Sequence, residues 1–396
     1  MIRGAVAVAL ALLAYVSVTR SLATVIRSKD ATRAVRLAPG DGRVAAAAAQ
    51  SLIDADVTRP KLARAARLAR RALDGDPTVS DAAAILGFDA QARGDAKGAG
   101  RWFAYAERLS RRELQTQIWL VEDLVSRGDV AGALHHYDIA LRTSRKAPDL
   151  LFPILGLAIA QPEVRAALAR TLAAKPPWSA LFVQYVAAAG PDPLATAQLL
   201  EQLRRSHVPV TAEARANTTN ALVARGLMGQ AWRFYAAGHP GAARDRSRDP
   251  GFTAAASDPS AFDWAPINNG GVAVTIQQGS RPGDGLLDFS VPPTLGGPLV
   301  QQAQLLPPGQ YRLTGRSAGI EQDPEARPYW VLTCRDGREL GRVALPDSRD
   351  QGGMFDGRFT VPAGCAMQML SLIARSSDAA AGMSGQISRA ALVPVH

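Results

Sequence analysis

Residues 94–106, GDAKGAGRWFAYA, and residues 128–140, GDVAGALHHYDIA, decide how the first half of the chain folds. The second stretch follows the first by 34 positions. Gly94-Asp95 returns as Gly128-Asp129, Gly98-Ala99 as Gly132-Ala133, Phe103 as Tyr137 and Ala106 as Ala140. Working backwards, Ala65, Ala69 and Ala72 stand in the same phase, and Leu120 lies 34 positions beyond Leu86 of Leu86-Gly87. A period of this length marks a supersecondary unit stacked on copies of itself, because one unit cannot bury its own apolar face. Small residues at fixed places let two helix backbones approach closely, and the aromatic fills the groove toward the next unit.

This phase resembles the tetratricopeptide repeat, two antiparallel helices in about 34 residues. Ala65, Ala72 and Pro77 fit the end of its second helix. Arg36-Leu37-Ala38-Pro39 fits the end of an earlier, degenerate copy, and Gly226, Ala231 and Tyr235 restore the spacing of Gly94, Ala99 and Phe103. Residues 150–215 read as helical but irregular, broken at Pro162, Pro176-Pro177, Pro191, Pro193 and Pro209. The expectation is an α-solenoid of tetratricopeptide-like helix pairs over residues 30–237.

Beyond Ala237 the texture changes. Residues 238–260 begin Gly-His-Pro-Gly and continue with small and charged residues, a linker composition. After them come nine short apolar runs between Gly/Pro turns: 272–276, 286–291, 300–306, 311–315, 329–334, 340–345, 355–361, 367–374 and 387–393. Short strands at such spacing indicate an all-β sandwich or jelly roll over residues 261–396, making the chain multidomain. Pro308-Gly309-Gln310-Tyr311 resembles a strand junction of galactose-binding-like and other carbohydrate-binding modules. The whole chain resembles a group of bacterial proteins that join an N-terminal hydrophobic segment, tetratricopeptide-like repeats and a C-terminal carbohydrate-binding-module-like sandwich. Arg36 to Pro39, Ala65 to Pro77, Gly94 to Ala106, Gly128 to Ala140, Phe262-Asp263-Trp264, Trp330 to Cys334, and Val361-Pro362 with Cys365 carry that likeness. It implies a cell-envelope accessory role in polysaccharide production and supplies no activity.

Ala5 to Val18 is an apolar run broken only by Ser17, with Arg3 before it and Arg20 after. At 1.5 Å per residue it covers about 21 Å, short of the bilayer core of about 30 Å. It reaches Val25 if Arg20 snorkels. Residues 1–26 therefore read as a signal anchor or signal peptide. The nearest approach to a cleavage site, Ser21-Leu22-Ala23, is not a clean A-x-A, which favours an anchor. A buried first helix of a soluble domain is the bland alternative. The expected location is the bacterial inner membrane, single-pass, with the bulk of the chain periplasmic, or free in the periplasm after cleavage. Arg20, Arg27, Lys29, Arg33 and Arg36 all follow the run and argue the other way, since positive charges prefer the cytoplasm.

The 396 residues carry a net charge of +10, and residues 1–75 hold thirteen Lys/Arg against five Asp, most of that excess. No reader motif or stacking aromatics accompany them, so the reading is a solvated basic surface without nucleic-acid binding. Phosphate-loop, dinucleotide, zincin, nucleophile-elbow and C-x-x-C motifs are absent. His135-His136 is the one histidine cluster, but neighbours on a helix point about 100° apart and share one ion poorly. His207, His239 and His396 fall in loop-like or terminal contexts. No metal, cofactor or catalytic residue is expected.

Cys334 and Cys365 are the two cysteines. Paired across strands they would suit an oxidising compartment and close a loop of about 30 residues, worth ~3 kcal/mol in the chain-entropy model. Two separately buried thiols are the alternative. Sugars stack on exposed rings, which makes Phe262, Trp264, Tyr329 and Trp330 the glycan-contact candidates, each also readable as core. Three functions compete. One is a non-enzymatic scaffold binding a protein partner on its repeats and a glycan on its sandwich. The second is an interaction protein without glycan affinity. The third is an envelope enzyme acting on polysaccharide, with a site assembled from distant loops.

Overall fold

The Gly-Asp pairs are helix punctuation. Gly94 and Gly128 take left-handed φ values of +80° and +75° and end one helix. The next residues, Asp95 and Asp129, begin another: their carboxylates accept the Gly98 and Gly132 amides at 2.8 Å each. The structure is a computed structural model and describes every residue except 1, 55, 255–256, 279–283, 350–351, 377–381 and 396, so His396 lies outside the described residues. The punctuation separates α5 (Ser80–Ala92) from α6 (Ala96–Leu109) and α7 (Leu114–Ser126) from α8 (Val130–Thr143). Before them stand α1 (Ile2–Ile26), α2 (Ala31–Leu37), α3 (Gly42–Ser51) and α4 (Arg59–Gly75). α3 packs on α4, α5 on α6 and α7 on α8, giving three successive helix pairs.

The small residues sit where the pattern requires. Ala65, Ala99, Ala72, Ala106 and Ala140 are fully buried and Ala133 nearly so. A Cβ on Gly87 would lie 2.7 Å from the Phe103 ring, so the α5 backbone rests directly on that aromatic. Phe103 meets Phe88 edge-on at 4.9 Å and stacks on Trp119 of the following pair at 4.2 Å. The chain continues through α9 (Ala147–Ala158), α10 (Pro162–Ala173) and α11 (Ser179–Ala189). Pro148 and Pro162 lie in the first turns of α9 and α10, where their missing amides cost nothing. In α1, residues Gly4–Ile26 are long and apolar enough to cross a membrane by length and composition, and the large apolar side chains from Val6 to Val25 are exposed.

Two compact units divide the chain, Met1–Phe182 and Val183–His396. The division falls inside α11, not at the expected 238–260 linker. The second unit holds α12 (Pro193–Arg205), α13 (Ala212–Ala224) and α14 (Met228–Gly238), then ten strands. Trp232 and Tyr235 of α14 share a core with Phe262, Ala303 and Leu305, which ties these helices to the β structure. Part of residues 238–254 is packed against the strands. Ser247, Arg248 and Phe252 are buried, the Ser247 amide donates to Leu392 O at 2.9 Å, and Ala390 N donates to Pro250 O at 2.8 Å.

Arg248 fastens this segment. Its Nε donates to Phe262 O at 2.8 Å, one terminal nitrogen to Gln304 Oε1 at 3.1 Å, and the other to Ala303 O. The guanidinium lies 5.5 Å from the ring centroids of both Trp232 and Phe262. Burial pulls its pKa down from the ordinary arginine value to about 10.

The strands are β1 (Ala265–Pro266), β2 (Ala273–Gln278), β3 (Gly285–Val291), β4 (Gly297–Gln304), β5 (Gly309–Ala318), β6 (Tyr329–Cys334), β7 (Glu339–Ala344), β8 (Gly353–Val361), β9 (Gln368–Ala374) and β10 (Met383–Pro394). They form two five-stranded antiparallel sheets, ordered β1-β4-β9-β6-β7 and β2-β3-β10-β5-β8. Phe289, Phe359, Trp330 and Leu370 fill the space between them. Cys334 and Cys365 are disulfide-bonded, with Cα atoms 5.7 Å apart.

Because Ala99 has no exposed surface at its helix crossing, Ala99→Phe is expected to overpack the α5–α6 pair and cost about 1–3 kcal/mol. Urea titration checks this; an unshifted midpoint would contradict the small-residue crossing.

Candidate functional site

The first helices of the three pairs, α3, α5 and α7, line one groove of about 590 Å³ together with Val57 and Leu62. On α7 its wall is Gln115, Ile118, Trp119 and Glu122, a stripe at i, i+3, i+4 and i+7 that a helix places on one face. Phe88, Gln91 and Ala92 come from α5, and Gln50, Ile53 and Asp54 from the end of α3 and just beyond. The Trp119 indole N–H donates to Gln91 Oε1 at 2.7 Å while its ring stacks on Phe103, so the half-buried indole is fixed in place. Val57 is 65% exposed beside it. The groove thus has an apolar floor, amide side chains able to donate and accept, and two carboxylates, Asp54 and Glu122. The small, helix-crossing positions of the repeat do not mark these residues; the i, i+3, i+4, i+7 stripe of α7 does.

The four aromatic glycan candidates are not brought together as a platform. Phe262 and Trp330 are fully buried and Trp264 is 3% exposed, so none offers a ring face to a sugar. Phe262 belongs to the helix–sheet core and Trp330 to the sandwich core, while the Trp264 indole N–H donates to Asp249 O at 2.8 Å. Tyr329 is half-buried, and its ring is covered by the Arg342 and Arg375 guanidinium groups at 4.6 and 4.8 Å from the centroid. Pattern alone did not separate these roles, because alternation shows which residues share a face but not what lies over that face.

A second, smaller cavity of about 140 Å³ in the second unit is lined by Tyr235, His239, Arg248, Asp258 and Asp263 among others. Its polar groups face one another. The Tyr235 hydroxyl donates to Asp263 Oδ1 at 2.8 Å, and Asp263 Oδ2 accepts from the Ser260 amide at 3.0 Å and hydroxyl at 2.6 Å. Burial, and then the Asp263 carboxylate, push the Tyr235 phenol far above its ordinary pKa, which keeps it protonated. His239 stacks on Tyr235 at 4.0 Å. These contacts tie Asp263 and Ser260 to Tyr235 of α14.

His135 and His136 do not converge. The rings are 5.4 Å apart, and His136 Nδ1 lies 2.8 Å from Gln117 Oε1 and 3.7 Å from Glu107. Among the described residues no group of three or more His, Cys, Asp or Glu is placed to hold a metal ion.

No protein-family model matches the chain, and no curated protein matches it either. Solved structures do. The CBM22-1 xylan-binding domain of Paenibacillus barcinonensis Xyn10C is similar over 37% of this chain and 91% of its own, at 11% identity and a TM-score of 0.25. PilW, a widely conserved type IV pilus biogenesis factor, is similar over 51% of this chain and 94% of its own, at 16% identity and a TM-score of 0.27. The enzymatically active domain of bacteriophage CBA120 tailspike protein 4 is similar over 33% of this chain, at 11% identity and a TM-score of 0.25, and the match spans only 19% of the tailspike chain.

Burial lowers the His136 pKa, with the Glu107 carboxylate pulling less strongly the other way. A depressed folded pKa means that the stability it contributes is complete above the unfolded value of about 6.5. That stability is lost as pH falls through the folded value, because the unfolded chain binds the proton more readily. The thermal midpoint is expected to drop between about pH 7.5 and pH 5, and less so in His136→Gln. An equal drop in both proteins would assign the effect to other groups.

Proposed function

We propose that this protein is a non-enzymatic adaptor of the bacterial cell envelope, anchored in the inner membrane by α1, with its helical groove holding an extended segment of a partner protein. The observation that carries this reading is the groove of α3, α5 and α7, with the Trp119 indole fixed in its wall. A large aromatic held in place in an interface is a usual anchor of binding energy. Gln91 and Gln115 offer amide groups to an extended backbone, and Asp54, which accepts from Gln50 at 2.7 Å, and Glu122 favour lysine or arginine beside the apolar anchors. The exposed apolar helix α1 supports the anchor, and the Cys334–Cys365 bond suits an oxidising compartment such as the periplasm. A part in exopolysaccharide production fits an adaptor with two binding units. Any glycan contact of the sandwich has to come from somewhere other than Phe262, Trp264, Tyr329 and Trp330.

Two measurements test this reading. Peptides selected by phage display on the detergent-solubilised full chain are expected to carry apolar residues next to lysine or arginine, and Trp119→Ala is expected to weaken them by roughly tenfold or more. Selected peptides that bind Trp119→Ala unchanged would place the site elsewhere. A C-terminal fusion of alkaline phosphatase is expected to be active only with the C-terminus in the periplasm; a silent fusion, made at normal levels, would reverse the orientation.

A further inference from the structure

The sheet β2-β3-β10-β5-β8 carries four exposed arginines on the outer face of three adjacent strands. Arg316 of β5 stands directly opposite Arg389 of β10, and Arg312 of β5 directly opposite Arg358 of β8. Like charges facing each other across a ladder are destabilising. Arg389 faces outward because of a register irregularity. The β10–β5 pairing shifts between Ile387 and Arg389, so that Ser388 and Arg389 are both exposed between buried Ile387 and Ala390. Without that extra residue, strict alternation would send the Arg389 side chain into the core. The bulge therefore sets one guanidinium against another.

One carboxylate answers this charge: Asp356 accepts from Arg312 Nε at 3.0 and 2.9 Å. Among the described residues no carboxylate lies within ion-pair distance of Arg316, Arg358 or Arg389. Among the described residues of β5, β8 and β10, four exposed arginines meet one exposed carboxylate, Asp356.

We propose that this face binds a linear acidic polysaccharide, a polymer with carboxylates widely spaced along a hydroxyl-bearing backbone. The proposal rests on the reading of the chain as an envelope adaptor and names what its sandwich holds. Arg312 and Arg316 are four residues apart on one strand, so the two arginine rows are separated by about 13 Å. Between the rows lie Thr314 and Asp356. A nucleic acid strand, with a charge every few ångströms, would set a phosphate over the Asp356 carboxylate. The exposed positions of β5, β8 and β10 include no aromatic on which a base would stack. A sparsely charged glycan instead sets its carboxylates on the arginine rows, whose planar forks match them, and its hydroxyls over Thr314. Gln386 and Asp288, hydrogen-bonded at 2.8 Å, extend the polar surface onto β3.

The test uses the detergent-solubilised full chain against hyaluronan, which carries one carboxylate per disaccharide, neutral dextran and an oligo-dT strand. Hyaluronan is expected to bind, to weaken with added salt, and to weaken roughly tenfold in R316Q/R389Q, which removes two charge-assisted contacts. Dextran is expected not to bind. Removing the facing cations relieves repulsion, so the low-salt thermal midpoint of the double variant should equal or exceed that of the parent. If it falls instead, Arg358→Gln, which leaves the bulge alone, serves as the binding variant. Absence of hyaluronan binding, unchanged hyaluronan binding in the variants, or tighter binding of oligo-dT than of hyaluronan would each overturn the proposal. Peptide capture at Trp119, measured in parallel, separates the two readings: it is untouched if only the sandwich assignment fails.

Discussion

The second unit depends on one buried cation. A guanidinium removed from water must have its donors met by fixed acceptors, or the desolvation cost unfolds whatever surrounds it. For Arg248 the acceptors are the carbonyls of Phe262 and Ala303 and the side-chain oxygen of Gln304, and the walls are the rings of Trp232 and Phe262. These groups come from α14, from the segment after it and from β4. None of them can be moved without stranding the charge. The helices therefore cannot swing freely on the sandwich, and the intervening residues are a strap rather than a hinge.

The same residue type plays the opposite part on the outer sheet face. There the guanidinium groups are solvated, so nothing structural requires them, and their pairing across strands works against the fold. Inside the unit one arginine is held by two backbone carbonyls and a side-chain oxygen; outside, three have no carboxylate within ion-pair distance among the described residues. Burial explains why the aromatic rings fall on the structural side of this division. Phe262, Trp264 and Trp330 each remove a large apolar area from water, which is worth more to the unit as core than as surface.

In the first unit the governing constraint is distance between backbones. Gly87 against Phe103, and alanine at each crossing, let the paired helices close to contact. The aromatic then reaches past its own pair to Trp119. That contact fixes the indole whose other edge faces the groove. A packing rule repeated for stability thereby builds a binding surface from the helix faces it leaves over.

The 34-residue phase and the nine apolar runs determined the class of each half by themselves, because both are periodic: 3.6-residue and 2-residue repetition survive in a linear sequence. All nine runs hold strands, and among the described residues the two-residue β1 is added to them. The Gly-Asp pairs were legible as well, since a left-handed glycine and an N-cap aspartate act within four residues of each other. Only the tertiary structure decided the rest. The strap looked like a linker because its small and charged composition hides a single arginine most of whose partners, Gln302, Ala303 and Gln304, lie more than fifty residues away. The aromatics looked like candidates for sugar contact because sequence shows alternation but not what covers each face. The arginine rows were invisible because register, and one bulge in β10, decides which cations meet, and register is a property of paired strands rather than of either strand alone.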